Sequence, residues 1–166
     1  LNNQEKFTQI YLKNEQIFND FWNTCLILGR IPANDEFSQS DEIKSLIGSH
    51  KKAFNYLNDF LSNNEFELAQ QYRKDDLLVY FALSQFEKRK PYINLPEQLQ
   101  RDVKAFFGNY LTATDIAREL LYSIADTKQI IDRCLQAHQS LPASVLLENH
   151  SLTFHKVFIE LLPPLL

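Results

Sequence analysis

The sequence predicts an all-α fold: a multi-helix bundle of about seven or eight helices joined by short loops, with room for a short extended segment near the C-terminus. Three observations predict it. Apolar residues step at three and four positions from Phe7 almost to the end. The chain has three glycines in 166 residues, and Gly29, Gly48 and Gly108 each follow an apolar stripe, where a helix wants a left-handed cap. Start signals such as Ser49, Pro96 and the Asp126/Gln129 pair stand ahead of the stripes.

The elements follow in order. Phe7, Ile10, Tyr11, Ile17, Phe18, Phe21, Trp22, Cys25 and Leu26 read as one long amphipathic helix with a polar gap at Asn14, ended by Gly29 and kept from restarting by Pro32. Residues 31–39 read as a loop. Ser38 and Asp41 have capping-box spacing before a short helix that carries Ile43, Leu46 and Ile47. Ser49 caps the next, with Ala53, Phe54, Leu57, Phe60 and Leu61. Asn63 and Asn64 form a turn.

A helix from about Glu65 is followed by a second segment, Leu77 to Glu87, with Asp75 and Asp76 as its caps. That segment is apolar nearly all round, the mark of a central helix, although its short apolar run also admits a strand. Lys88, Arg89 and Lys90 close it, where cations suit the negative end of the helix dipole. Pro96 opens the helix of Leu99, Val103, Phe106 and Phe107. Gly108 ends that helix before the stripe Tyr110, Ala113, Ile116, Ala117, Leu120 and Leu121. Asp126 and Gln129 box the helix of Ile130, Ile131, Cys134 and Leu135. After Gln139 the periodicity fades and Val145, Thr153, Phe154, Val157 and Phe158 raise strand propensity. Residues 1–138 therefore form a helical domain. Residues 139–166 form an apolar segment that packs on it or leads to a further domain.

Composition narrows function. A chain of this length buries roughly 70% of its unfolded surface, so 45% hydrophobic residues can build a core without staples. The scattered glycines exclude a P-loop, a dinucleotide fingerprint and a glycine-rich S-adenosylmethionine loop, all of which need clustered glycines. The net charge of −4 gives no general attraction to nucleic acid or anionic membrane. No stretch reaches the ~18 uninterrupted apolar residues of a membrane span. Cys25 and Cys134 fall on apolar stripes as buried thiols, and such low cysteine use fits a reducing cytoplasm. The absence of methionine, with the apolar Leu165-Leu166 ending, points to an internal piece of a longer polypeptide, whose remainder is then its first partner.

Lys88, Arg89 and Lys90, joined by Arg101 and Lys104 or by His50, Lys51 and Lys52, could form a patch that meets DNA phosphates; the same residues also make a solvated helix end. His138, His150 and His155 match no helical metal spacing. Arg30 can bind the last carbonyls of its helix or reach Glu36. The aromatics keep apolar phase and read as core, not as a stacking platform. No serine or cysteine has a recognisable nucleophile context.

Three segments carry a resemblance. Gly29-Arg30-Ile31-Pro32 with Asp35-Glu36-Phe37 resembles a "GR-x-P…EF" turn. The run from Asp76 to Phe86 resembles a "DLLVYLALSRF" helix. The run from Leu95 to Tyr110 resembles an "LPetLqrDIkaFFGsY" block. A looser likeness links Leu152 to Leu166 with "LYVHxSAL…LPPLL". These are motifs of the methyltransferase family associated with bacterial DNA phosphorothioation. The resemblance implies a cytoplasmic, multidomain protein that binds S-adenosylmethionine in a domain ahead of this region. It assigns no catalytic, cofactor or metal residue here and no small-molecule ligand. Gly29, Arg30, Pro32, Asp76, Pro96, Asp102 and Gly108 match family positions, with structural roles. The implied role is a non-catalytic helical accessory domain that positions DNA or a partner. The alternatives are a direct DNA-binding module built on the basic patch and a protein-docking domain.

Overall fold

A computed structural model describes residues 3–61, 64–87, 90–148 and 151–166. It is helical, as the periodicity requires. Eight α-helices stand among the described residues: α1 Asn3–Lys13, α2 Glu15–Leu28, α3 Ser40–Ile47, α4 His50–Leu61, α5 Glu65–Leu83, α6 Glu97–Phe107, α7 Tyr110–Ser123 and α8 Thr127–Ser140. A hairpin of β1 Ser144–Leu147 and β2 Ser151–Phe154 follows, antiparallel, with Leu146 opposite Leu152 and Val145 opposite Thr153. The expected extended segment is thus a two-stranded sheet, packed against α8. No described helix is long and apolar enough to cross a membrane.

Two compact units divide the chain, residues 1–74 and 75–166, at a point inside α5. In the first, the expected single N-terminal helix is two helices. Asn14 is the reason. Its side-chain amide donates to the Ile10 carbonyl at 2.9 Å and its backbone N–H donates to Tyr11, a local alternative to the helical ladder. The break lets Phe7 reach Phe18 across 5.5 Å and stack on Tyr56 at 4.9 Å. Phe18, Phe21 and Cys25 are fully buried, and burial pushes the Cys25 thiol up to about 12. Cys25 and Cys134 are both buried and free, as expected.

Gly29 ends α2 with φ of +63°, and its N–H donates to Leu26. A Cβ there would stand 2.9 Å from the Cβ of Arg73 and 3.1 Å from the Cα of Gln70, so both the backbone conformation and the approach of α5 require glycine. Gly48 and Gly108 follow α3 and α6 with positive φ as well. The Ser38 capping box does not form. The helix begins at Ser40, whose hydroxyl donates to the carbonyls of Asn34 and Phe37 and holds the preceding turn instead. Ser49 does cap α4, accepting from Lys52 N–H at 3.2 Å.

The second unit corrects two expectations. Asp75 and Asp76 cap nothing, because α5 runs unbroken from Glu65 to Leu83 with Asp76 exposed on its surface. The run from Leu77 is helical, not a strand. It is not central either: Leu77, Phe81 and Ala82 are buried, while Tyr80, Leu83 and Phe86 are exposed. The helix stops at Leu83 because the side chains of Ser84 and Gln85 both donate to the Phe81 carbonyl, tightening the chain into a 3-10 turn, Ser84–Phe86. Pro96 sits one residue ahead of α6, with its carbonyl accepting from Gln100 N–H. The core joins Leu77 and Phe81 of α5 with Leu95, Val103 and Phe107, and with Ala113 and Ala117 of α7. Asp126 caps α8 as expected, but the return half of the box does not form: the Asp126 N–H donates to Ser123, and the Gln129 side chain donates to the Asp126 carboxylate instead. Asp126 Oδ1 accepts from the N–H groups of Lys128 and Gln129, and Gln129 Nε2 donates to Asp126 Oδ2 at 3.1 Å. The Asn63 half of the expected turn lies outside the described residues.

Candidate functional site

Two places concentrate polar chemistry. The first is the turn that carries Gly29 to Phe37. Arg30 does not stay on its own helix end; it reaches Glu36 as a fork, with Nη1 to Oε2 at 2.6 Å and Nη2 to Oε1 at 2.7 Å. Glu36 also accepts from Ala33 N–H at 2.7 Å. Arg30 is buried and Glu36 nearly so. Such a bidentate pair fixes geometry as well as charge. The carbonyl of Pro32 accepts from Nδ1 of His50 at 2.9 Å, and a carbonyl can only accept, so the proton sits on Nδ1. His50 is buried between Phe21 and Phe37. It therefore drops out of the expected basic patch, and the turn is a piece of scaffold.

The second place is a cleft of about 260 Å³ in the second unit. The last turn of α5 supplies Tyr80 and Phe81, the 3-10 turn supplies Ser84, and Glu87 and Lys90 follow it. Leu95 and Tyr110 complete the lining. Tyr110 donates its hydroxyl to the Lys90 carbonyl at 2.9 Å, which ties this loop to the start of α7. Its ring meets Phe81 edge-on at 5.8 Å and leans on Tyr92. Tyr80 is 46% exposed and its ring abuts Phe81 at 5.3 Å. The Ser84 hydroxyl proton goes to the Phe81 carbonyl, so its oxygen is left as an acceptor. The result is an aromatic wall with an ammonium, a carboxylate and a hydroxyl oxygen around it.

The expected basic residues come together only in part. Lys88 and Arg89 lie outside the described residues. Lys90 lines the cleft, while Arg101 and Lys104 do not. Arg101 pairs with Glu97 one turn earlier on α6, and Lys104 is exposed on the same helix. Asp102, by contrast, is fully buried in α6. Of the late histidines, His138 Nδ1 meets Ser144 Oγ at 2.8 Å where α8 hands over to β1, and His155 Nδ1 accepts from Val157 N–H. His150 lies outside the described residues. Among those residues, no group of histidine, cysteine and acidic side chains is placed to hold a metal ion.

Sequence reasoning missed Tyr80, Ser84 and Glu87 as site residues. The available signal was the all-round apolar helix. A seven-residue apolar run, Leu77–Leu83, spans more than one face of a helix, and a face without a neighbour stays open. The chain matches no protein-family model, no curated protein and no solved structure.

Proposed function

We propose that this chain is a non-catalytic helical accessory domain of an S-adenosylmethionine-dependent methyltransferase tied to bacterial DNA phosphorothioation, and that it positions DNA for the catalytic part of a longer cytoplasmic polypeptide. The observation that carries the reading is how the motif residues are spent. Gly29 is wedged against α5, Arg30 is forked to Glu36, Pro32 holds His50, Asp102 is fully buried and Gly108 ends a helix. Residues that build scaffold are not free to do chemistry. A glycine-rich cradle for S-adenosylmethionine does not fit these residues, since each glycine terminates a helix and none neighbours another; no step of methyl transfer is assigned here. Lys90 and Lys104 are left exposed for phosphates.

The test is DNA binding by the 166-residue chain across a salt series. Affinity should fall as salt rises, and Lys90→Ala and Lys104→Ala should each weaken binding and lower the salt slope by about one. Salt-independent or absent binding overturns the DNA role. Calorimetric binding of S-adenosylmethionine at micromolar affinity overturns the non-catalytic one.

One observation favours a protein-docking domain as a second reading. Val145 and Leu147 of β1, with Val157 and Ile159 beyond the hairpin, are exposed apolar side chains in one stretch of chain. Under that reading Ile159→Lys would abolish partner capture and leave DNA titrations unchanged.

A further inference from the structure

The cleft at Lys90 refines the DNA-positioning reading. We propose that it holds one unpaired nucleotide of single-stranded DNA, with a preference for a base that carries an exocyclic amine over thymine. This rests on the DNA-positioning reading above and specifies the form of DNA that the site accepts.

Size argues for one nucleotide. The cleft measures about 260 Å³, just below the ~300–1,000 Å³ of sites that enclose drug-sized ligands, so it suits one ring and its phosphate better than a whole dinucleotide cofactor. Its wall argues for a base. Tyr80 offers a ring about half exposed, backed at 5.3 Å by the buried Phe81 ring, and Tyr110, edge-on to Phe81, also lines the cleft. Aromatic faces stack unpaired bases, whereas bases of a duplex are already stacked on one another and cannot enter. Lys90 supplies the cation that a neighbouring phosphate needs, and the Tyr110 hydrogen bond keeps its backbone in place.

The polar set argues for the amino edge. Glu87 is acceptor-only when ionised. Ser84 has given its proton to Phe81 and retains acceptor capacity. Two acceptors beside an aromatic wall complement the N–H₂ group of cytosine or adenine, as carboxylates do when they accept from cytosine N4. The thymine edge meets those same oxygens with a single ring N3–H set between two carbonyl acceptors, and gains less than an N–H₂ group does.

The experiment uses fluorescence anisotropy on the 166-residue chain with four probes: a 12-mer of dC, a 12-mer of dT, and a mixed-sequence 12-mer as single strand and as duplex. Single strand should bind at least several-fold tighter than duplex, and dC tighter than dT. Tyr80→Ala should weaken single-strand binding roughly tenfold, the loss of one stacked base, and Tyr80→Phe should restore it. Glu87→Gln should level dC and dT, because an amide donates to thymine O4 as well as accepting. Far-UV circular dichroism and thermal melts of the variants confirm folding. Equal binding of duplex and single strand, or a Tyr80→Ala variant with unchanged affinity, overturns the proposal while leaving DNA binding intact. If no DNA binds, the DNA-positioning reading falls, and the cleft is decided separately by titrating dCMP at millimolar concentration. Shifts in the Tyr80 and Tyr110 ring resonances keep the nucleotide site, and their absence removes it.

Discussion

The two units of this chain are built from the same helical periodicity and treat their apolar residues differently. In residues 1–74, aromatic stripes find one another: Phe7 stacks on Tyr56, Trp22 on Phe54, and Phe54 meets Phe66 at 4.6 Å. In residues 75–166 the core is smaller in its side chains, with Ala113 and Ala117 at its centre, and large apolar groups are left outside. Tyr80 and Leu83 of the cleft are exposed, and so are Phe86, Ile93, Val157 and Ile159; the first unit leaves Leu12, Ile27, Leu68 and Tyr72 exposed as well, so the units differ in how their cores are filled more than in what lies outside them. Periodicity tells which residues share a face. Whether the face is covered depends on neighbours that a local pattern does not contain.

One substitution made in both units separates them most sharply. Phe21→Ala removes a fully buried ring that touches Phe37 and His50, and should destabilise the first unit by about 4 kcal/mol. Phe86→Ala removes a ring that is 78% exposed and should change stability by less than about 0.5 kcal/mol. Trp22 is the single tryptophan and lies in the first unit, so urea denaturation followed by its fluorescence reads the first change directly. A loss below about 1 kcal/mol for Phe21→Ala would break the contrast between an aromatic ring enclosed in the first core and one left exposed in the second unit.

Next in size is the fork in the first unit. Glu36→Gln keeps the shape and removes the charge that Arg30 grips, and breaking a buried pair from one side costs about 3 kcal/mol. The cost is an upper figure, because the carboxylate keeps some contact with solvent. The same Trp22-monitored denaturation measures it. A near-neutral Glu36→Gln would mean that the turn is held by apolar packing and the Pro32 contact with His50, and would make the polar scaffold of the first unit as dispensable as a surface ion pair.

Much of this was legible in the sequence. Helix existence, the three glycine caps, the Asp126 cap and the late change to strands all follow from local chemistry, and local chemistry is what a sequence displays. Arg30 is a different case. Position just past a helix end favours the last carbonyls as its partner, and the choice of Glu36 is set instead by the fold of the loop that follows. The break at Asn14 turned on one side-chain hydrogen bond beating the ladder. The cleft was the least legible, because its lining joins the last turn of α5 and the Ser84–Phe86 turn to Leu95 and Tyr110, which lie far along the chain. The prediction of a wholly buried Leu77 helix failed for the same long-range reason.

The smallest expected effect is electrostatic and belongs to the second unit. The side chain of Gln129 and the N–H groups of Gln129 and Lys128 hold the Asp126 carboxyl below its ordinary range. A carboxyl whose native value is depressed adds stability that is complete above its unfolded value and is lost as pH falls through the native one. The start of α8 should therefore hold at neutral pH and fray in acid, below the usual aspartate range. Hydrogen exchange at the Lys128 and Gln129 amides, followed down a pH series and corrected for intrinsic rates, reads this locally. Asp126→Asn keeps a capping oxygen without a titrating charge, so protection should persist and its acid dependence should vanish. If the acid dependence survived in Asp126→Asn, it would come from elsewhere in α8, and the cap would contribute geometry alone.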